Sequence, residues 1–306
     1  MMNRTELPLI GLDGSNPLAF LATLGAFRTL NRAWPDRDVR LAWRTLSARW
    51  TPLLSFAEAS SQAEVVDAMH ALLAPMAEHN AFNFAENLKL QASEFASFAR
   101  EAGSLARDRN DTLDAEFASA FACEAITNED GTVQDTAFRT MSGAGHQHFL
   151  KFMAEIARTT TPQQLNAALF APWTYDEQKL SLRWDPADDR RYALRWNDPS
   201  GDVVRTVRGA NRLAIEALPL FPVAPLGSQL ETTAFGRPYA RGIFWTWPIW
   251  ESPVPLDTCR SALALPELQE TQPNRASLST RGIVELFRCE RITIGKFRNF
   301  TPSFSP

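Results

Sequence analysis

The first apolar run, "LPLIGL" at residues 7–12, reads as a short strand. A "DGSN" turn follows, and the pattern then changes to a helix from about Pro17 to Ala33. Asn16 is a good N-cap, and Pro17 falls where the first helical position tolerates a missing N–H. Leu18, Leu21, Ala22, Leu24 and Gly25 keep helical spacing, and the small Ala22 and Gly25 leave room for another element to approach closely. Trp34-Pro35 ends the helix.

"VRLAWR" and "ARW" then alternate as strands. From about Ser55 to Arg107 the pattern is helical, most clearly in "AEVVDAMHALLAPMAEH", where Val65, Met69, Leu72, Leu73 and Met76 recur and Pro75 kinks or splits the helix. Another helix is expected over Asp114 to Glu124. "TNEDGTVQD" is a turn, after which a glycine-rich turn in "FRTMSGAGHQHFLKFMAEIAR" opens an amphipathic helix carrying Phe149, Phe152, Met153 and Ile156. "TPQQLNAALF" is a further helix with a Thr-Pro start.

The second half has a different texture. "KLSLRW" and "RYALRW" flank "DPADDR", which predicts a hairpin with a long charged turn. "VRTVRGANRLAIEALPLF" reads as a helix closed by Pro219, with Gly209 working against it. "RGIFWTWPIW" and "GIVELFRCERITIG" read as strands, with "PLDTCRSALAL" a short helix between them. The expected fold class is therefore α+β: a helix-rich N-terminal half and a mixed α/β C-terminal half containing an antiparallel sheet. A boundary near residues 172–178 divides a helix-rich unit with short N-terminal strands (1–175) from a mixed unit with a basic C-terminal segment (176–306).

With 306 residues, 45% of them apolar, the chain can bury a core without covalent staples. A net charge of −4 excludes a general polyanion binder, but the charge is uneven. Ten acids face three arginines from Glu94 to Asp135, whereas six bases face two acids from Arg275 onward. Such asymmetry suits a protein that meets nucleic acid on one flank. Cys123, Cys259 and Cys289 are scattered and odd in number, which argues for a reducing compartment and against a zinc site. The opening segment does not read as a secretory signal, and no apolar window is long enough for a membrane span, so the expected location is cytoplasmic.

Four kinds of chemistry compete. Asp185 and Asp188, with His146, are the candidates for a metal-dependent nuclease, but no metal-ligand spacing accompanies them, and Asp188 and Asp189 abut Arg190 and Arg191 as local ion pairs. Nucleophilic catalysis has no GxSxG elbow. "MSGAGHQHF" places Gly143, Gly145, His146 and Gln147 at a helix start, where unpaired N–H groups would hold an anion; a plain loop-to-helix junction is the alternative.

Basic residues interleaved with aromatics carry the most weight. Arg205, Arg208 and Arg212 recur at spacings of three and four, as on one helix face. Arg281, Arg288, Arg291, Lys296 and Arg298 line a final segment with Phe287, Phe297 and Phe300. Arginine forks grip phosphate and aromatic faces stack on bases. The expected nucleic-acid-binding set is Arg190, Arg191, Arg205, Arg208, Arg212, Arg288, Arg291, Lys296 and Arg298, with no catalytic residue, no metal and no cofactor. Trp245 and Trp247 share one strand face, and their simplest fate is a core or an interface.

Several segments together resemble CRISPR-associated effector proteins of the type I-G (formerly I-U) group. "IGLDGSNPLAFLATLGAFRTL" resembles the short strand and Pro-led helix that open such proteins. "FRTMSGAGHQHFLKFMAEI", "WDPADDRRYALRWNDPSGD", "RGANRLAIEALPLFP" and "RITIGKFRNFTP" are similar to other parts of that group. The resemblance implies a large-subunit-like or auxiliary member of an RNA-guided antiviral effector complex, non-catalytic, contacting guide RNA or target DNA and partnered by other effector subunits.

Overall fold

Asn16 starts the helix around which the molecule is built. Its side chain accepts from the Ala19 N–H at 3.0 Å, and Pro17 occupies the first turn, so the helix begins where its exposed donors are met. The computed structural model describes residues 4–58, 60–141, 148–188, 205–294 and 297–306.

In chain order, strand β1 (Thr5–Pro8) leads into helix α1 (Pro17–Ala33), followed by β2 (Arg40–Leu46), β3 (Arg49–Phe56), α2 (Gln62–Leu73) and α3 (Asn80–Asn83). Next come α4 (Ala92–Arg109), α5 (Leu113–Phe121), β4 (Ala122–Thr127), β5 (Val133–Asp135), α6 (Phe149–Thr159) and α7 (Pro162–Phe170). The remainder is β6 (Glu177–Gln178), β7 (Arg205–Thr206), α8 (Arg208–Ala217), β8 (Val223–Leu226), β9 (Gln229–Thr232) and β10 (Phe235–Gly236), then β11 (Phe244–Trp250), α9 (Leu256–Leu263), α10 (Arg275–Ser279), β12 (Ile283–Ile294) and β13 (Phe297–Phe300). The fold class is α+β with antiparallel sheets, as the residue pattern predicts.

One sheet has the order β1-β3-β2 and a larger one the order β10-β11-β12-β13, with Trp245 opposite Cys289 and Arg291 opposite Phe300. Helix α1 is buried along most of its length, the mark of a central helix rather than a surface one. Its Phe20 ring stacks on Trp43 of β2 at 5.6 Å and meets Trp247 of β11 at 5.5 Å, so it joins the two sheets. Trp245 and Trp247 therefore enter the core. On the other side α1 crosses α8: a Cβ on Gly25 would stand 1.7 Å from the Leu213 carbonyl oxygen. The main apolar cluster runs from Leu7 to Phe300 and draws on both sides of residues 172–178, so the two halves share one core.

Three expectations need correction. "KLSLRW" forms no strand: Lys179, Leu180 and Arg183 have φ of 66°, 50° and 58°, left-handed values that break an extended chain. Its alternation reflects burial of Leu180, Leu182 and Trp184 from an irregular segment, while "RYALRW" lies outside the described residues. Second, the Arg205 region is not helical; β7 pairs with β6, and α8 begins only at Arg208. Third, the stretch after Ser55 is interrupted: β3 continues to Phe56, and Pro75 ends α2 by opening a 3-10 turn over Pro75–Glu78. Gly209 is compatible with α8 because its bare Cα lets α7 approach; a Cβ there would lie 2.1 Å from the Gln164 carbonyl oxygen. Among the described residues no helix is long and apolar enough to cross a membrane.

Candidate anion-binding site

After β5 the chain turns inward. Phe138 is fully buried between Phe221, Phe235 and Trp245, with ring centroids 4.9, 4.9 and 5.1 Å away. That anchor holds the next residue, Arg139, at the wall of a cleft of about 590 Å³. Arg139 is only 8% exposed. It pairs with Asp135 at 2.6 Å and donates from Nη1 to the Met141 carbonyl at 2.8 Å.

Alternation along β12 brings the second guanidinium. Phe287, Cys289 and Arg291 have the same parity, and Cys289 lies opposite the buried Trp245, so Arg291 continues the core-facing row to the edge of the core. Its Nη2 donates to the Arg139 carbonyl at 2.9 Å. Arg298 shares parity with Phe300, the partner of Arg291 across β13, and lines the same cleft. Arg237, just past β10, supplies an exposed fourth guanidinium.

Among the described residues, two carboxylates, Asp135 and Glu231, line the cleft with these four arginines, a surplus of two positive charges. Burial, then the like charges of Arg298 and Arg139, pulls the Arg291 pKa down to about 10, against the opposing pull of Asp135. Arg298 is lowered too, by burial first and by Arg139 second. The buried Nε atoms of Arg139 and Arg291 have no hydrogen-bond partner among the described residues. Buried donors of this kind are uncommon.

The residues expected from sequence divide sharply. Arg291 and Arg298 meet in the cleft. Arg212 does not face solvent: it is fully buried, with Nη1 2.7 Å from Glu216 and Nη2 donating to the Leu73 carbonyl. Glu216 also takes Arg28 at 3.0 Å, so Arg212 belongs to a buried ion network and is not a phosphate ligand. Arg288 is equally committed, donating to Thr246, Tyr239 and the carbonyls of Leu268, Thr271 and Glu270. It points to the opposite face of β12 from Arg291, as period-two alternation requires.

Arg205 is exposed on β7, away from the helix face assigned to it, and Arg208 lies 3.8 Å from Glu177 with its N–H donating to the same carboxylate. These two and Arg212 therefore form no common face. Arg281 pairs with Glu267. Arg190, Arg191, Lys296 and the loop residues Gly143, Gly145, His146 and Gln147 lie outside the described residues.

Asp185 is likewise occupied. It accepts from Asn16 Nδ2 at 3.2 Å, Tyr175 Oη at 2.9 Å and the Ala187 N–H at 2.9 Å, which joins the 185–188 turn to the start of α1. That is an architectural role; Asp188 closes the same turn, and His146 lies outside the described residues. No group of three or more His, Cys, Asp or Glu among the described residues is placed to hold a metal.

Sequence reasoning missed Arg139 and Arg237. The spacing of Asp135 and Arg139 was visible, but the pairing of that turn with β12 is long-range. Compared with known proteins, the chain matches no family model, no curated protein and no solved structure.

Proposed function

We propose that the chain is a non-catalytic nucleic-acid-binding protein that holds phosphate in the cleft formed by Arg139, Arg237, Arg291 and Arg298. The observation that carries this reading is the surplus of guanidinium charge gathered from four separate segments into one cleft. Arg275 is matched by Glu285 and Arg139 by Asp135, whereas Arg237 and Arg298 line the cleft with no ion-pair partner among the described residues. The resemblance to type I-G CRISPR-associated proteins supplies the setting: an effector complex in which base pairing reads sequence while protein subunits hold the backbone by charge and shape. Guide RNA or target DNA is the ligand in that setting, and other effector subunits are the partners.

Fluorescence anisotropy of the full chain with labelled single-stranded RNA and DNA tests the reading. Replacing Arg237 and Arg298 by Ala should weaken binding by about tenfold or more, and each lost phosphate contact should reduce the salt slope by about one. Unchanged affinity and slope in the doubly substituted protein would overturn the assignment. Copurification from the native host, followed by identification of bound RNA and proteins, tests the effector setting separately.

A further inference from the structure

Position and charge together restrict what can enter the arginine cleft. Resting on the reading that this cleft holds nucleic-acid phosphate, we infer that it takes the terminal phosphomonoester of a single strand rather than the phosphodiesters of a continuous backbone.

Two observations argue for this. The first is depth. Arg139 is 8% exposed and Arg291 is half-buried, so both guanidinium groups are recessed from the surface that the convex face of a duplex would meet. A phosphodiester inside a strand has a sugar on both sides, and both must be accommodated if it is to descend. An end phosphate has one covalent neighbour and can enter first. The cleft, at about 590 Å³, has space for the phosphate together with part of its nucleoside, and Phe235 and Ile243 are among its lining residues.

The second is charge. A phosphodiester carries one negative charge, whereas a phosphomonoester carries about −1.5 to −2 at pH 7, with a second pKa near 6 and three strong acceptor oxygens. The surplus of two positive charges matches the dianion. The three acceptor oxygens of a monoester suit the several guanidinium groups that line the cleft.

The test uses the full-length chain and one short oligonucleotide prepared four ways: with a 5′-phosphate, with a 3′-phosphate, with hydroxyl ends, and circularised. One of the two phosphorylated forms should bind about tenfold more tightly than the hydroxyl-ended and circular forms, the equivalent of one good charge-assisted hydrogen bond. That preference should shrink when the pH is lowered through about 6, where the phosphomonoester gains a proton. Arg298→Ala and Arg237→Ala, made separately, should each reduce the preference while residual strand binding persists.

Equal affinity for all four forms, reduced equally by the substitutions, would overturn the terminal-phosphate inference and leave the backbone reading standing. Absence of binding by every form would overturn both. Competition by adenosine monophosphate or inorganic phosphate as effective as that of the phosphorylated strand would also overturn it, because the cleft would then be recognising a free small anion.

Discussion

Arg291 donates from Nη2 to the main-chain carbonyl of Arg139 at 2.9 Å, which ties two cationic residues from distant parts of the chain to one wall of one cleft. The contact fixes position without neutralising charge, since a carbonyl is a dipole and not an anion. Burial first, and then its arginine neighbours, hold the Arg291 pKa down to about 10.

A lowered guanidinium pKa has a chemical signature. At about pH 9, a group with a pKa near 10 is neutral roughly a tenth of the time, and an ordinary arginine almost never. Phenylglyoxal reacts with the neutral form, so Arg291 should be labelled ahead of the exposed Arg205, and added phosphate should protect it. Because the folded pKa lies below the unfolded one, this charge opposes folding fully below about pH 10, and the penalty fades as the pH rises further. Peptide mass spectrometry reads the labelling directly. Earlier labelling of Arg205, or no protection by phosphate, would contradict the cleft's electrostatics.

The crossing of α1 and α8 predicts a steep cost at one glycine. A Cβ on Gly25 would meet the Leu213 carbonyl oxygen at 1.7 Å and its carbon at 2.6 Å, so Gly25→Ala must push two buried helices apart. A loss of about 3 kcal/mol is expected from overpacking of this kind. Gly103 is the control: it is exposed on α4 with nothing within 4 Å of an added Cβ, and Gly103→Ala should gain about 0.5–1 kcal/mol. Urea unfolding of the two variants should move in opposite directions.

Glu216 is the hinge of the buried ion network. It is fully buried and binds Arg212 at 2.7 Å through Oε1 and Arg28 at 3.0 Å through Oε2. Glu216→Ala leaves two buried guanidinium groups short of a carboxylate and should destabilise the protein by about 3–5 kcal/mol. Combining it with Arg212→Met should recover part of that loss, since removing both charges avoids an unpaired one. Chemical denaturation of the single and double variants measures the difference; a double variant less stable than Glu216→Ala would show that the network is not the cause.

Local pattern was enough for most elements and insufficient for the cleft. Asn16-Pro17 and the spacing from Leu18 to Gly25 identify α1 and its close-approach face, because cap chemistry and helical periodicity act within a few residues. The alternation of Trp245 and Trp247 gives the core face of β11 for the same reason. Arginine spacing misled because it was read as helical where the backbone was still a strand at Arg205, and because a run of bases contains no record of which carboxylate returns to it. Glu216 meets Arg28 from 188 residues away, and Arg139 meets Arg291 from 152. Period-two parity along β12 does separate Arg288 from Arg291, and that signal was legible once the strand was recognised.

The other end of the buried network titrates in acid. Glu116 on α5 receives Arg28 Nη2 and the Thr112 hydroxyl. Burial acts to raise its pKa, but the charge and hydrogen bond of Arg28, with the Thr112 bond, outweigh it and leave the group below its ordinary 4.5. A folded pKa below the unfolded one means that the stabilisation is fully present above about pH 4.5 and is lost as the pH falls through the folded value. Glu285, set against Arg275, the Leu286 N–H and Ser305, follows the same sign. Glu116→Gln should therefore lower stability near about pH 6, and the gap to the parent protein should close towards about pH 3 as the parent's own carboxylate is protonated. Urea midpoints across that range test it, and a gap independent of pH would mean that Glu116 contributes by packing rather than by charge.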